Sequence, residues 1–160
     1  MKQKVKEWGN VIWRAAVILL ILFLTCWPTR LEGSSMEPTY EAGDVVCFSR
    51  LAGWLGGYHT GDVVLFQYED TDGSRMVIKR VVAQENQRIQ IDAGGVLLDG
   101  VLLDEPYAQG ETIGVVDLLI PKECVFVLGD HREMSIDSRN MGPIPVKDIK
   151  GKVLFRLPFF

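Results

Sequence analysis

The segment Met76-Val77-Ile78-Lys79-Arg80-Val81-Val82 decides how this chain is read. Its β-branched run marks a strand, and period-two alternation sets Val77, Lys79 and Val81 on one face and Ile78, Arg80 and Val82 on the other. One of the two cations must therefore point toward an apolar face. A lysine in water keeps its proton up to about pH 10.4, whereas burial among apolar side chains can lower that value by several units. A lysine so placed can serve as a general base. Taken alone, a strand lysine is equally suited to guarding an exposed sheet edge against aggregation.

Short alternating runs at 44–49, 62–68, 76–84, 88–92, 96–98, 124–128 and 152–157 are separated by turn pairs such as Asp72-Gly73, Gly94-Gly95 and Asp99-Gly100. No long stretch of helical period follows Pro28. The expected fold class is mainly β. Asp99-Gly100 joins two apolar runs, which predicts a hairpin. The chain has no internal repeat and no low-complexity linker.

The other end of the chain reads differently. Residues 11–27 are apolar apart from Arg14 and Thr25. As a helix rising about 1.5 Å per residue they would span about 26 Å, the lower limit for crossing a bilayer. Arg14 can snorkel to the headgroups. A cleaved secretory signal would need small residues at two positions one apart, and residues 25–32 offer no convincing pair. The expectation is thus a single transmembrane anchor over 11–28. Lys2, Lys4 and Lys6 ahead of it put a tail of residues 1–10 in the cytoplasm and residues 29–160 outside, with the lipid bilayer as a partner.

Composition excludes some functions. A net charge of −4 over 160 residues offers no basic field for a phosphate backbone, so nucleic acid is not expected as a partner. The cysteines Cys26, Cys47 and Cys124 show no CxxC or paired-histidine spacing, so no metal site is expected. Cys47 and Cys124 lie in strand-like apolar runs and read as free, buried thiols, with a Cys47–Cys124 bridge as the alternative.

Four segments hold the side chains that could do chemistry. They are Gly33-Ser34-Ser35-Met36-Glu37-Pro38-Thr39, Gly61-Asp62-Val63-Val64-Leu65-Phe66, Lys79-Arg80-Val81-Val82, and the polar stretch that opens Gly129-Asp130-His131-Arg132 and runs through Ser135, Asp137 and Arg139 to Gly142-Pro143. A serine such as Ser35, in a loop between an anchor and a strand, is by itself a turn former. All four segments, in this order and behind an N-terminal anchor, resemble the sequence boxes of type I signal peptidases. The resemblance covers most of the chain and leaves a variable insert over about 85–123.

The resemblance implies a signal-peptidase-like antiparallel β-sheet catalytic domain carried on one N-terminal transmembrane helix. It implies a serine endopeptidase with Ser35 as nucleophile and Lys79 as base, needing neither cofactor nor metal. Ser135 corresponds to the serine that orients the lysine amine, and Asp137 and Arg139 to a supporting ion pair. The implied substrate is the extended end of a signal peptide on an exported preprotein, added as a strand between residues 32–35 and 77–79. Contacts to it are expected from Gly33, Ser34, Met36, Tyr40 and Ile78, in shallow apolar pockets that admit small side chains.

Three departures stand against the family pattern. Gly33 occupies the position where some members carry a side-chain oxyanion donor, which leaves a water or Ser34 to fill that role. His131 replaces the usual asparagine and reads as a loop residue beside the site, while His59 reads as a surface loop. Gln84-Glu85-Asn86 departs from the usual continuation after Lys-Arg-Val-Val. The stretches 51–55 and 155–160 are suited either to dipping into the membrane face or to core packing. The rival functions are a specialised pilin- or conjugation-processing Ser-Lys peptidase, and a non-catalytic membrane-tethered assembly protein of the same fold.

Overall fold

Alternation in the apolar runs becomes two antiparallel sheets in the computed structural model, which describes residues 2–70 and 73–157. Helix α1 (Lys2–Thr25) leads into strand β1 (Trp27–Arg30), then β2 (Val45–Ser49), α2 (Arg50–Gly56), β3 (Val63–Asp70) and β4 (Gly73–Ala83). Four short strands follow: β5 (Arg88–Asp92), β6 (Gly95–Leu98), β7 (Val101–Leu102) and β8 (Val116–Leu119). The chain returns through β9 (Cys124–Leu128), α3 (Ser138–Met141) and β10 (Ile144–Pro145) to β11 (Ile149–Leu157).

The large sheet has the order β1-β2-β11-β3-β4-β9-β10 and the small one β7-β6-β5-β8. At Asp99-Gly100 the expected hairpin forms, with φ of 52° and 82° at the two residues, the double left-handed conformation that suits a tight turn between twisted strands. The strands β1, β8 and β10 and the helix α2 were not expected, and β7 was expected only as the second arm of that hairpin. The strands have two to four residues each, too few for alternation to be read.

β4 is the pivot of the fold. It pairs with β3 from Gly73 to Arg80, matching Val64 to Lys79 and Val63 to Arg80, but it meets β9 only from Arg80 onward. Residues 73–79 therefore keep one strand edge open. Ile78 packs with Leu31, Met36, Val46, Phe48 and Leu65 in one core, while Val77 lies against a second core built on Val64, Phe66, Val81 and Val127. A third cluster, around Ile89, Ile91, Val96 and Phe126, seats the small sheet on the large one. Each such fully buried side chain contributes about 1.5–3 kcal/mol.

Two expectations are corrected. Trp27 and Pro28, assigned to the anchor, belong instead to β1, opposite Phe48 and Cys47, and α1 ends at Thr25. No helix among the described residues is long and apolar enough to cross a membrane. Arg14 interrupts the apolar stretch, and the side chains of residues 22–24 lie outside the described residues. Cys47 is also not free: it is joined to Cys26, with Cα atoms 5.6 Å apart, and Cys124 is the free thiol among the described residues. The sheet order explains the choice. Cys47 in β2 and Cys124 in β9 are separated by four strand spacings of about 4.8 Å, far beyond disulfide reach.

The stretch 51–55 forms most of α2, with Leu51 and Leu55 exposed; the side chain of Trp54 and residues 158–160 lie outside the described residues.

Candidate active site

Ser35 sits in the turn between β1 and β2. Hydrogen bonds from Leu31 N–H to Asp44 O and from Gly43 N–H to Leu31 O close the base of this loop, and Tyr40 N–H donates to Met36 O within it. Met36 is turned inward beneath the nucleophile, 2% exposed, and Tyr40 packs against the same core. Neither lines the cleft, contrary to expectation, because both side chains are used to anchor the loop. Gly33 and Ser34 flank Ser35 without lining it, while Ile78 does line it.

Lys79 reaches this serine from β4. Its Nζ lies 2.6 Å from Ser35 Oγ and donates to Ile78 O at 3.1 Å, and the residue is 3% exposed. Alternation requires only one buried cation, but Lys79 and Arg80 are both largely enclosed and differ in how they are compensated. Arg80 forms a bidentate pair with Asp130, at 2.8 and 2.6 Å, and its guanidinium lies 4.0 Å from the Tyr107 ring centre. Lys79 has no carboxylate at contact distance among the described residues. Burial accordingly brings its ammonium down to about 8; Asp137 and Asp130 pull it back up, and Arg139 pushes it further down.

The segment 129–139 forms the far wall. Asp137 and Arg139 make the expected pair, Nε to Oδ1 at 2.8 Å and Nη2 to Oδ2 at 2.9 Å, and Asp137 also accepts from Gly129 N–H at 3.0 Å. Ser138 Oγ accepts from Val127 N–H, so the turn is fastened to β9. Ser135 is buried beside Gly129, but its Oγ has no hydrogen-bond partner among the described residues and does not hold Lys79 in this structure. A Cβ on Gly129 would collide with Ser135 Oγ and stand 2.6 Å from Ser35 O, so only glycine fits there. His131 donates its N–H to Ser35 O at 3.1 Å, and its ring Nδ1 is 4.0 Å from Glu37 Oε2. His59 is exposed near Asp62.

Two arginine clusters were not singled out in the sequence. Asp130 accepts from Thr39 Oγ1 at 2.5 Å as well as from Arg80, which ties the nucleophile loop to both β4 and the 129–139 turn. Arg132 pairs with Glu105 at 2.9 and 2.6 Å, donates to Thr112 and Gly129 O, and joins the small-sheet loops to the same turn. A guanidinium that sequence patterning sends toward a core needs a carboxylate, but its partner cannot be named from spacing alone.

Between these parts runs a cleft of about 490 Å³. Its walls are residues 29–32 and 75–79, its floor is Leu65 and Tyr68, and Met134, Ile136 and Met141 close the side next to the turn. Among the described residues no group of histidine, cysteine, aspartate or glutamate side chains could hold a metal ion.

A mainly β scaffold that delivers a serine hydroxyl to a buried amine beside an open strand edge has the make-up of a serine endopeptidase. Comparison with known proteins agrees. Residues 5–158 match the family described as signal peptidase, peptidase S26, and the chain belongs to that family. Signal peptidase IB of Staphylococcus aureus strain COL is 35% identical over 181 aligned residues, covering 99% of this chain and 93% of the relative. Thylakoidal processing peptidase 1 of Arabidopsis thaliana is 30% identical over 156 residues, which take in 88% of this chain but 45% of that longer protein. The crystal structure of a signal peptidase I from Enterococcus faecalis V583 superposes with a TM-score of 0.52 at 23% identity, covering 61% of this chain and 96% of that one; this likeness bears on the fold alone.

Proposed function

We propose that this protein removes signal peptides from exported preproteins through an acyl-enzyme on Ser35, with Lys79 as general base. The observation that carries the reading is the 2.6 Å approach of Ser35 Oγ to a buried Lys79 amine whose pKa is about 8. The substrate would enter as an extra strand between residues 29–32 and the open edge of β4, its carbonyl presented to Ser35. Neutral Lys79 takes the hydroxyl proton as Oγ attacks, then gives it to the departing amine. The Ser35 N–H is the oxyanion donor in this scheme. Water, deprotonated by the same lysine, releases the acyl group. Asp137 and Arg139 hold the wall beside Lys79, and Ser135, whose buried Oγ has no other partner among the described residues, is the hydroxyl assigned to orient the amine. Met134 and Ile136 line the cleft with apolar surface, which suits small apolar substrate side chains.

In this reading α1 holds the chain to the membrane through its apolar residues from Val11 onward, which among the described residues fall short of a full span, and the extracytoplasmic peptidase domain follows directly. Ile18, Leu19, Leu20 and Ile21 are all more than half exposed. Four consecutive residues pass more than a full helical turn, so every face of α1 there is apolar and needs an apolar solvent. Residues 1–10, with their lysines, would stay in the cytoplasm. A disulfide just beyond the helix supports the oxidising side of the membrane for the domain.

The test is cleavage of a preprotein by the detergent-solubilised chain beside Ser35→Ala and Lys79→Ala. Cleavage by the wild type alone is expected. Cleavage that survives Lys79→Ala would remove the lysine from the mechanism, and no cleavage by any form would favour a tethered binding protein.

A further inference from the structure

The wall of the cleft is fastened at its far end, where Leu31 is buried and hydrogen-bonded to Gly43 and Asp44, but its near end, formed by β1, is poorly secured by its own residues. It is a four-residue edge strand with Trp27, Pro28 and Arg30 exposed and only Thr29 partly buried. Pro28 has no N–H to give the ladder to β2. A strand so short and so little buried has a weakly specified register, and a slip of one residue would turn every side chain to the opposite face. Yet residues 29–32 must present one particular edge and set of side chains to the cleft.

What pins the near end of this strand is covalent. Cys26 stands one residue before β1 and is bonded to Cys47, which is opposite Pro28 in β2. The closed loop has a sequence separation of 21 and contains both the wall and Ser35. The nucleophile turn has fastenings of its own: Met36 in the core, His131 N–H on Ser35 O, and Thr39 on Asp130. The disulfide and the dyad are therefore mechanically separable.

We propose that the Cys26–Cys47 disulfide is a positioning element that holds β1 in register for substrate, so that opening it weakens substrate binding and leaves the Ser35–Lys79 chemistry intact. The proposal rests on the reading of the cleft as the peptide site. Cys47 is fully buried and Cys26 is partly exposed, so a small dithiol reductant gains access at Cys26. Its thiolate attacks Cys26 Sγ and expels Cys47 as a thiolate, which takes up a proton. Its second thiol then displaces Cys26 as a thiol, and two electrons and two protons have passed from the dithiol, now a cyclic disulfide, to the protein.

The experiment uses the full chain in detergent, before and after dithiothreitol, with thiols counted by alkylation under denaturing conditions. The count should rise from one, Cys124, to three. Reduction should raise KM for a signal-peptide substrate about fivefold, the cost of re-ordering a loosened wall on binding, with kcat and the pH midpoint unchanged. Reoxidation should restore KM, and Cys26→Ala should show the raised KM with or without reductant. Binding of a labelled signal peptide to Ser35→Ala should weaken by the same factor on reduction. That arm keeps this proposal separate from the enzymatic reading, since it stands whether or not the wild type cleaves. Three thiols in the untreated protein would overturn the proposal. So would an unchanged KM and peptide affinity at a verified three thiols, or a loss of kcat together with circular dichroism, which would make the bond a general structural staple.

Discussion

Replacing Lys79 by methionine separates what this residue does for catalysis from what it costs the fold. In the folded protein the ammonium ionises at about 8, against 10.5 when unburied. The unfolded chain therefore binds the extra proton between these values, and stability rises with pH across that window. Below about pH 8 the folded state bears the whole penalty, about 3 kcal/mol at 1.36 kcal/mol per unit. Methionine fills a similar volume without a charge, at a repacking cost below about 1.5 kcal/mol, and leaves the Ser35 hydroxyl without this partner at about 1 kcal/mol. Lys79→Met should thus abolish cleavage while the net stability at pH 7 stays level or rises. The sharper quantity is the difference between two pH values, because the packing and hydroxyl costs cancel in it. Urea denaturation of both proteins should show the advantage of the variant shrinking by about 2–3 kcal/mol from pH 7 to pH 10. The wild-type kcat/KM should in parallel rise about tenfold from pH 7 to 9 with a midpoint near 8. A ΔΔG that is the same at both pH values, or a rate midpoint near 6.5 or above 10, would refute the buried-lysine argument.

Two further outcomes follow from the packing around the site. Glu105→Gln leaves the Arg132 guanidinium, 1% exposed, without its counter-charge, and should lower unfolding free energy by about 3–5 kcal/mol in chemical denaturation, since breaking a buried pair strands the other ion. Gly129→Ala puts a methyl group into Ser135 Oγ and against the Ser35 carbonyl, so it should cost about 1–3 kcal/mol in thermal or urea unfolding and depress kcat more than KM, because the atoms displaced belong to the dyad's surroundings.

Alternation is a property of neighbours two apart, and it was enough to show the β character of the chain, strands β5 and β9 at their observed limits, and β2, β3, β4, β6 and β11 to within a few residues. It also implied that the 79–80 pair sends a cation inward. The ordered motifs were enough to single out Ser35 and Lys79 and to imply the family. What spacing could not supply was partnership across the sheet. Arg80 with Asp130, Arg132 with Glu105 and Thr39 with Asp130 lie 50, 27 and 91 residues apart and meet only because the sheet order brings their strands and loops to one end of the cleft. Among the described residues those pairings leave Lys79 as the buried cation without a carboxylate in contact, and that difference in compensation, not burial itself, separates a structural arginine from a lysine able to give up its proton. The same logic governs the cysteines: their positions were plain in the chain, but the β1–β2 pairing put Cys26 beside Cys47, and the sheet order put Cys47 four strand spacings away from Cys124.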